Sequence, residues 1–171
     1  VVPAIKPLAD ALDRKYLDAK DRLAIADEDF EVYDKTIRSD VDLFREENVP
    51  LQTEDDLFSQ EYQTICGKMT VQLDGKEYTM PQAGKLQQET DRPWREKVWL
   101  AMTERRLADA DKLDELFEKM LGIRTKIAAN AGLANFRDYQ FAHYHRFDYT
   151  PDDCKAYHNS IEEIVVPLLG D

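Results

Sequence analysis

"KMTVQLDGKEYTM", residues 68–80, is the stretch of this chain in which apolar side chains recur in steps of two rather than three and four. Such alternation marks a strand with one covered face. At its centre stand Asp74 and Gly75, a pair able to adopt the positive φ angles that a two-residue hairpin turn demands. This register places Val71 opposite Tyr78 and Met69 opposite Met80, on one face. A lone hairpin is marginal in water, so its apolar face must lie against helices or join a further sheet.

The sequence on both sides reads as helix. With only six glycines and long runs of Ala, Leu, Glu, Lys, Asp and Arg, the composition is that of a mainly α protein, a bundle of long helices with one β-hairpin over about 68–80. Upstream, Ile5, Leu8, Leu12 and Tyr16 form one helical stripe. A second helix is expected from about Asp27 to Glu47, with Phe30, Tyr33, Ile37, Val41 and Phe44 inward and Asn48 to Pro50 ending it. Thr53 then reads as the N-cap of a third, with Asp56 three residues later and Leu57, Phe58, Tyr62 and Ile65 as its buried stripe.

Downstream, a long helical pattern begins near Asp91 with Trp94, Val98 and Met102 and continues through Leu113, Leu116, Phe117, Met120 and Ile127 to Gly132. As one helix it would span on the order of 60 Å; the weaker middle, "TERRLADADK", offers a break near Ala108 to Asp111 instead. Asn135 is placed to cap a short helix, and Thr150-Pro151-Asp152-Asp153 carries three helix-start signals at once. The last helix should run from Pro151 towards Leu169 with a kink at Pro167.

The 171 residues are enough for one domain with a buried core, taken here as 1–171. Lys and Arg total 23 against 35 Asp and Glu, giving 23 − 35 = −12 without a basic cluster, which argues against a nucleic-acid partner. The longest apolar run, Ile164 to Leu169, is far short of a bilayer span, and no segment resembles a signal peptide. Cys66 and Cys154 make no disulfide framework, which fits a reducing, cytoplasmic setting. A start at Val1-Val2-Pro3 and an end directly behind an apolar helical pattern read as cuts in a longer protein.

All three histidines lie in "FAHYHRFDYTPDDCKAYH", residues 141–158. Cys154, His158 and Glu162 are spaced four and four, so they share a helix face, and His143 or His145 would complete a metal-ligand set. The spacing matches no structural-zinc pattern, and the competing reading packs Cys154 as a small apolar residue beside a half-buried His158. There is no phosphate-binding glycine loop, no Gly-x-Ser-x-Gly elbow and no His-Glu-x-x-His helix, so the chain carries no complete catalytic apparatus.

The hairpin "DGKEYTMPQ", the helix start "DRPWREKVW", the run Arg124-x-x-Ile-Ala-Ala-Asn-Ala-Gly-Leu-Ala-Asn-Phe-Arg-Asp-Tyr139 and "RFDYTPDDC" leading into "VVPL" follow one another in an order that resembles the oligoendopeptidase F branch of the thimet-oligopeptidase-like zinc metallopeptidases. The likeness extends over most of the chain from about Pro3. It implies a mostly helical, two-lobed channel peptidase that cleaves short unfolded peptides. Its zinc is held by the two His of a His-Glu-x-x-His helix and a later Glu, with the Glu of the motif as general base.

In the family those residues lie C-terminal to the stretch matched here. The resemblance therefore carries over no catalytic or metal residue, and expects zinc in the full-length parent and none in this chain. It implies an N-terminal helical lobe, inactive alone, whose partners are a missing catalytic lobe and short peptides. His143, His145, Arg146 and Tyr149 become candidates for the channel wall, although Arg146 and Asp148 are expected more often to make local salt bridges or caps. Two rival readings remain: a stand-alone helical peptide- or protein-binding module, and a small metal-binding protein using Cys154, His158 and Glu162. Separation from a missing half should leave apolar faces open on one side of the hairpin and of the last helix, favouring self-association.

Overall fold

A computed structural model describes residues 2–24 and 28–170. Among the described residues, eight α-helices and a two-stranded antiparallel sheet follow in chain order: α1 Val2–Asp18, α2 Glu28–Leu43, α3 Asn48–Gly67, β1 Thr70–Leu73, β2 Lys76–Thr79, α4 Met80–Leu86, α5 Arg92–Leu107, α6 Ala110–Asn130, α7 Phe136–His143 and α8 Pro151–Ser160. The chain divides into two compact units, Glu54–Ile123 and the remainder, Val1–Thr53 with Arg124–Asp171.

In the Glu54–Ile123 unit the hairpin has the expected register, with Val71 opposite Tyr78 and the ladder closing at Thr70 and Thr79. Asp74 and Gly75 turn it, at φ 50° and 78°. Met80 does not pair with Met69, because Thr79 ends the strand by capping α4. Its Oγ accepts from the Gln82 N–H, while the Gln82 side chain accepts from the Thr79 N–H at 2.9 Å. The apolar face of the hairpin is not left open. Val71 and Leu73 pack with Ala83 of α4 and with Val98 and Met102 of α5, and Val98 is fully buried. A neighbouring cluster joins Ile65 and Met69 to Leu116 of α6, and Met80 lines both. Lys97 of α5 ties down the turn through an ion pair to Asp74.

The long pattern beyond Asp91 breaks where its middle weakens, and α6 begins after Asp109, whose carboxylate pairs with Arg105 at 2.6 Å. It ends in a Schellman arrangement: Gly132, at φ 78°, donates to the Ala129 carbonyl, and Leu133 donates to Ala128.

In the other unit, two expectations fail. Asn48 to Pro50 opens α3 rather than closing α2, which stops at Leu43. Pro50 falls in the first helical turn, where a missing N–H leaves no hydrogen bond unmade. Thr53 is inside the helix, its hydroxyl donating back to the Val49 carbonyl at 2.9 Å rather than capping. Asn48 is 1 % exposed and serves a different purpose: its side chain donates to the Ile127 carbonyl at 3.0 Å and accepts from the Asn130 amide at 2.8 Å. Arg45, between α2 and α3, donates to the Asn130 carbonyl at 3.0 Å and so satisfies the end of α6.

α1 forms as the spacing predicts. Its apolar stripe exists, but Ile5, Leu8 and Leu12 face solvent, Leu8 at 70 % exposure. Tyr16, the fourth member of the stripe, is half-buried with Lys6, Asp10 and Asp13; Lys6 donates to Gln52 at 2.6 Å and Tyr16 lies edge-on to Tyr33 of α2 at 5.3 Å. Periodicity identifies a helix but not which face its neighbours cover. Burial, with Asp40 and Asp10 nearby, raises the Asp13 carboxyl above its ordinary value. A carboxyl raised in the folded state contributes stability that is present below the unfolded value and lost as pH rises through the folded one. Asp13→Asn should therefore gain stability relative to the parent chain as the pH climbs from 4 towards 7, read from urea midpoints; a gain that shrinks over that range contradicts the assignment.

The last helix carries the expected disturbance at Pro167. After α8 the backbone widens into a π-helical turn, Ile161–Val165, then tightens into a 3-10 turn, Val166–Leu169. Pro167 has no N–H to continue the α-helical ladder. Ile164, Val165, Val166, Leu168 and Leu169 are exposed along this run, as expected of the last helix.

Candidate functional site

The candidate residues gather on α7 and the connection that follows it. Asn135 caps α7, its side chain accepting from the Asp138 N–H at 3.0 Å. The far end closes on His145, whose φ is 52°: its N–H reaches the Ala142 carbonyl at 3.0 Å, and the Arg146 N–H reaches Phe141 at 3.1 Å. This is the arrangement found at Gly132, made here by a residue with a Cβ, which costs on the order of 1 kcal/mol. Two groups of α2 hold it. Asp40 meets His145 Nε2 at 2.8 Å, and Ser39 Oγ donates to the Ala142 carbonyl at 2.9 Å.

That closure sets the direction of Arg146. Its guanidinium lies over three rings, Phe141 at 4.9 Å, Tyr144 at 5.2 Å and Tyr149 at 5.8 Å, and Phe141 meets Tyr149 edge-on. The expected local salt bridge is not what holds it: among the described residues its contacts are with rings, an attraction that leaves the N–H donors at the guanidinium edge open. Tyr144, Phe147 and Tyr149 are themselves exposed. On α7 a second series stacks Phe136 on Tyr139 at 5.6 Å and Tyr139 on His143 at 6.0 Å. Tyr139 is buried, which raises its phenol above the ordinary value, and its oxygen accepts from Gln52 at 2.9 Å. His143 and Tyr149 thus border one aromatic surface from which Arg146 presents the cation, while His145 holds the backbone.

The second candidate set does not come together. Among the described residues no group of three or more His, Cys, Asp and Glu side chains is arranged to hold a metal ion. Cys154 is half-buried on α8, His158 and Glu162 are exposed, and the first and last of the three are separated by about 12 Å of helix rise. One ion would need its ligand atoms at roughly 2 Å. The four-residue spacing that puts them on one face also spreads them along it.

Sequence reasoning missed Ser39 and Asp40. They act on residues more than a hundred positions downstream, 103 and 105 respectively, and neither lies in a motif. What the geometry offers chemically is recognition: a guanidinium edge and several rings.

No family profile and no curated protein sequence matches the chain. Among solved structures it is similar to helical peptidase chains. The fold is that of two chains carrying the name oligoendopeptidase F, one of them from Bacillus anthracis str. Ames, and of PZ peptidase A solved with an inhibitor. The TM-scores are 0.90, 0.89 and 0.91, at 22, 19 and 20 % identity. The likeness covers 97, 97 and 98 % of this chain but only 29, 30 and 30 % of those chains. The chain thus spans less than a third of the structures it matches.

Proposed function

We propose that these residues form a non-catalytic, peptide-contacting part of a zinc oligopeptidase of the oligoendopeptidase F type. The observation that carries the reading is the near-complete superposition on three peptidase chains, each more than three times as long as the part matched. Zinc, its ligands and the general base would belong to the remaining part of such a protein, as the likeness of the sequence to that family implies. The exposed Arg146 edge, with Tyr144, Tyr149 and His143 around it, suits the carboxylates and aromatic side chains of a short peptide. The exposed stripes of α1 and of the Ile164–Leu169 run would meet the missing lobe or, without it, a second copy. No helix among the described residues is long and apolar enough to cross a membrane, and the two free cysteines suit a cytoplasmic protein.

The test is to give the 171-residue chain a short internally quenched peptide, with and without added zinc, and to measure peptide binding in parallel. No hydrolysis is expected, and no stoichiometric zinc should survive a mild chelator. Arg146→Ala should weaken binding of an acidic peptide by roughly tenfold, the equivalent of about 1.4 kcal/mol. Zinc-dependent cleavage abolished by His158→Ala would overturn the proposal.

A further inference from the structure

The first two turns of α5 border a depression of about 480 Å³ lined by Gln87, Arg92, Arg95, Glu96 and Trp99. That is within the roughly 300–1,000 Å³ range of small-ligand pockets. Arg92, Arg95, Glu96 and Trp99 follow the i, i+3, i+4, i+7 spacing, so they share a face of α5 next to the one that buries Val98 and Met102. Each arginine has an acid four residues away along the helix, Glu96 for Arg92 and Asp91 for Arg95. The Asp91 carboxylate accepts from the Trp94 N–H at the start of the helix. Two guanidinium groups line the hollow, beside an indole that is more than half exposed.

We propose that this depression binds a carboxylate borne on an apolar or aromatic group, as in the C-terminal residue of a peptide. Two guanidinium groups, those of Arg92 and Arg95, stand against a single lining carboxylate, that of Glu96, so the wall of the depression favours an anion. A guanidinium fork receives a carboxylate through two parallel N–H donors, and the face of Trp99 takes the attached side chain. Gln87, at the end of α4, has an amide to offer the peptide backbone. This inference is independent of the peptidase reading, since it concerns other residues and requires no zinc.

The chain has two tryptophans, so Trp94→Phe leaves Trp99 as the single reporter. N-acetyl-leucyl-phenylalanine, its C-terminal amide and inorganic phosphate are titrated separately, and the unsubstituted chain is followed in parallel by amide chemical shifts in case Trp94→Phe disturbs the fold. The free acid should saturate the Trp99 signal, and the amide should bind about tenfold more weakly. Arg92→Gln and Arg95→Gln should each weaken the acid by a similar factor, whereas Glu96→Gln should tighten it. Equal binding of acid and amide, phosphate binding as tight as the acid, indifference to both arginine substitutions, or no saturable binding would each overturn the proposal.

Discussion

Asn48→Ala is expected to lower stability by about 2–4 kcal/mol, a large loss for one small side chain. Its amide group is almost wholly enclosed and meets two partners, the Ile127 carbonyl and the Asn130 side chain. Truncation leaves an acceptor and a donor without partners in a place from which water is excluded, and it opens a cavity of side-chain size. Asn130→Ala should cost less, because the Ile127 bond survives. Urea denaturation of the two single variants and the double variant separates the terms: the double should fall well short of the sum. A loss below about 1 kcal/mol for Asn48→Ala would mean that the enclosed amide contributes little.

Leu73→Ala comes next, with an expected loss of about 3 kcal/mol. Leu73 is 2 % exposed and packs with Val71, Ala83, Val98 and Met102, where β1, α4 and α5 meet. The hairpin has two short strands and no other sheet to join among the described residues, so its place depends on this apolar contact. Gln72, next along the strand, points to solvent, and Gln72→Ala should change stability by no more than about 0.5 kcal/mol. Similar effects at the two positions would contradict the register.

The contrast between those neighbours is legible in the sequence, because a period of two fixes both register and face once Asp74-Gly75 sets the turn. The caps were legible too: Asn135 and Thr150 act locally, and each accepts from the N–H three residues on. Asn48 was not. Asn-x-Pro reads equally as a stop or a start, and what decides is the end of α6, about eighty residues away. The covered face of α1 was not legible either, for a related reason. An apolar stripe marks where a helix can be buried, but here the α1 side near Asp10 and Asp13 is the half-buried one. In the candidate site, aromatic richness was visible, whereas the α2 clamp on His145 depends on how separate helices meet.

The uncovered run from Ile164 to Leu169, where Leu169 is 80 % exposed, shares the chain with a net charge of −12. The two features act over different distances. Like-charge repulsion between molecules extends over about 10 Å at 0.1 M salt and about 3 Å at 1 M, while apolar attraction operates only at contact. Association through this run should therefore be weak in dilute buffer and grow as salt is added, which sedimentation at about 0.1 M and about 1 M salt would read out.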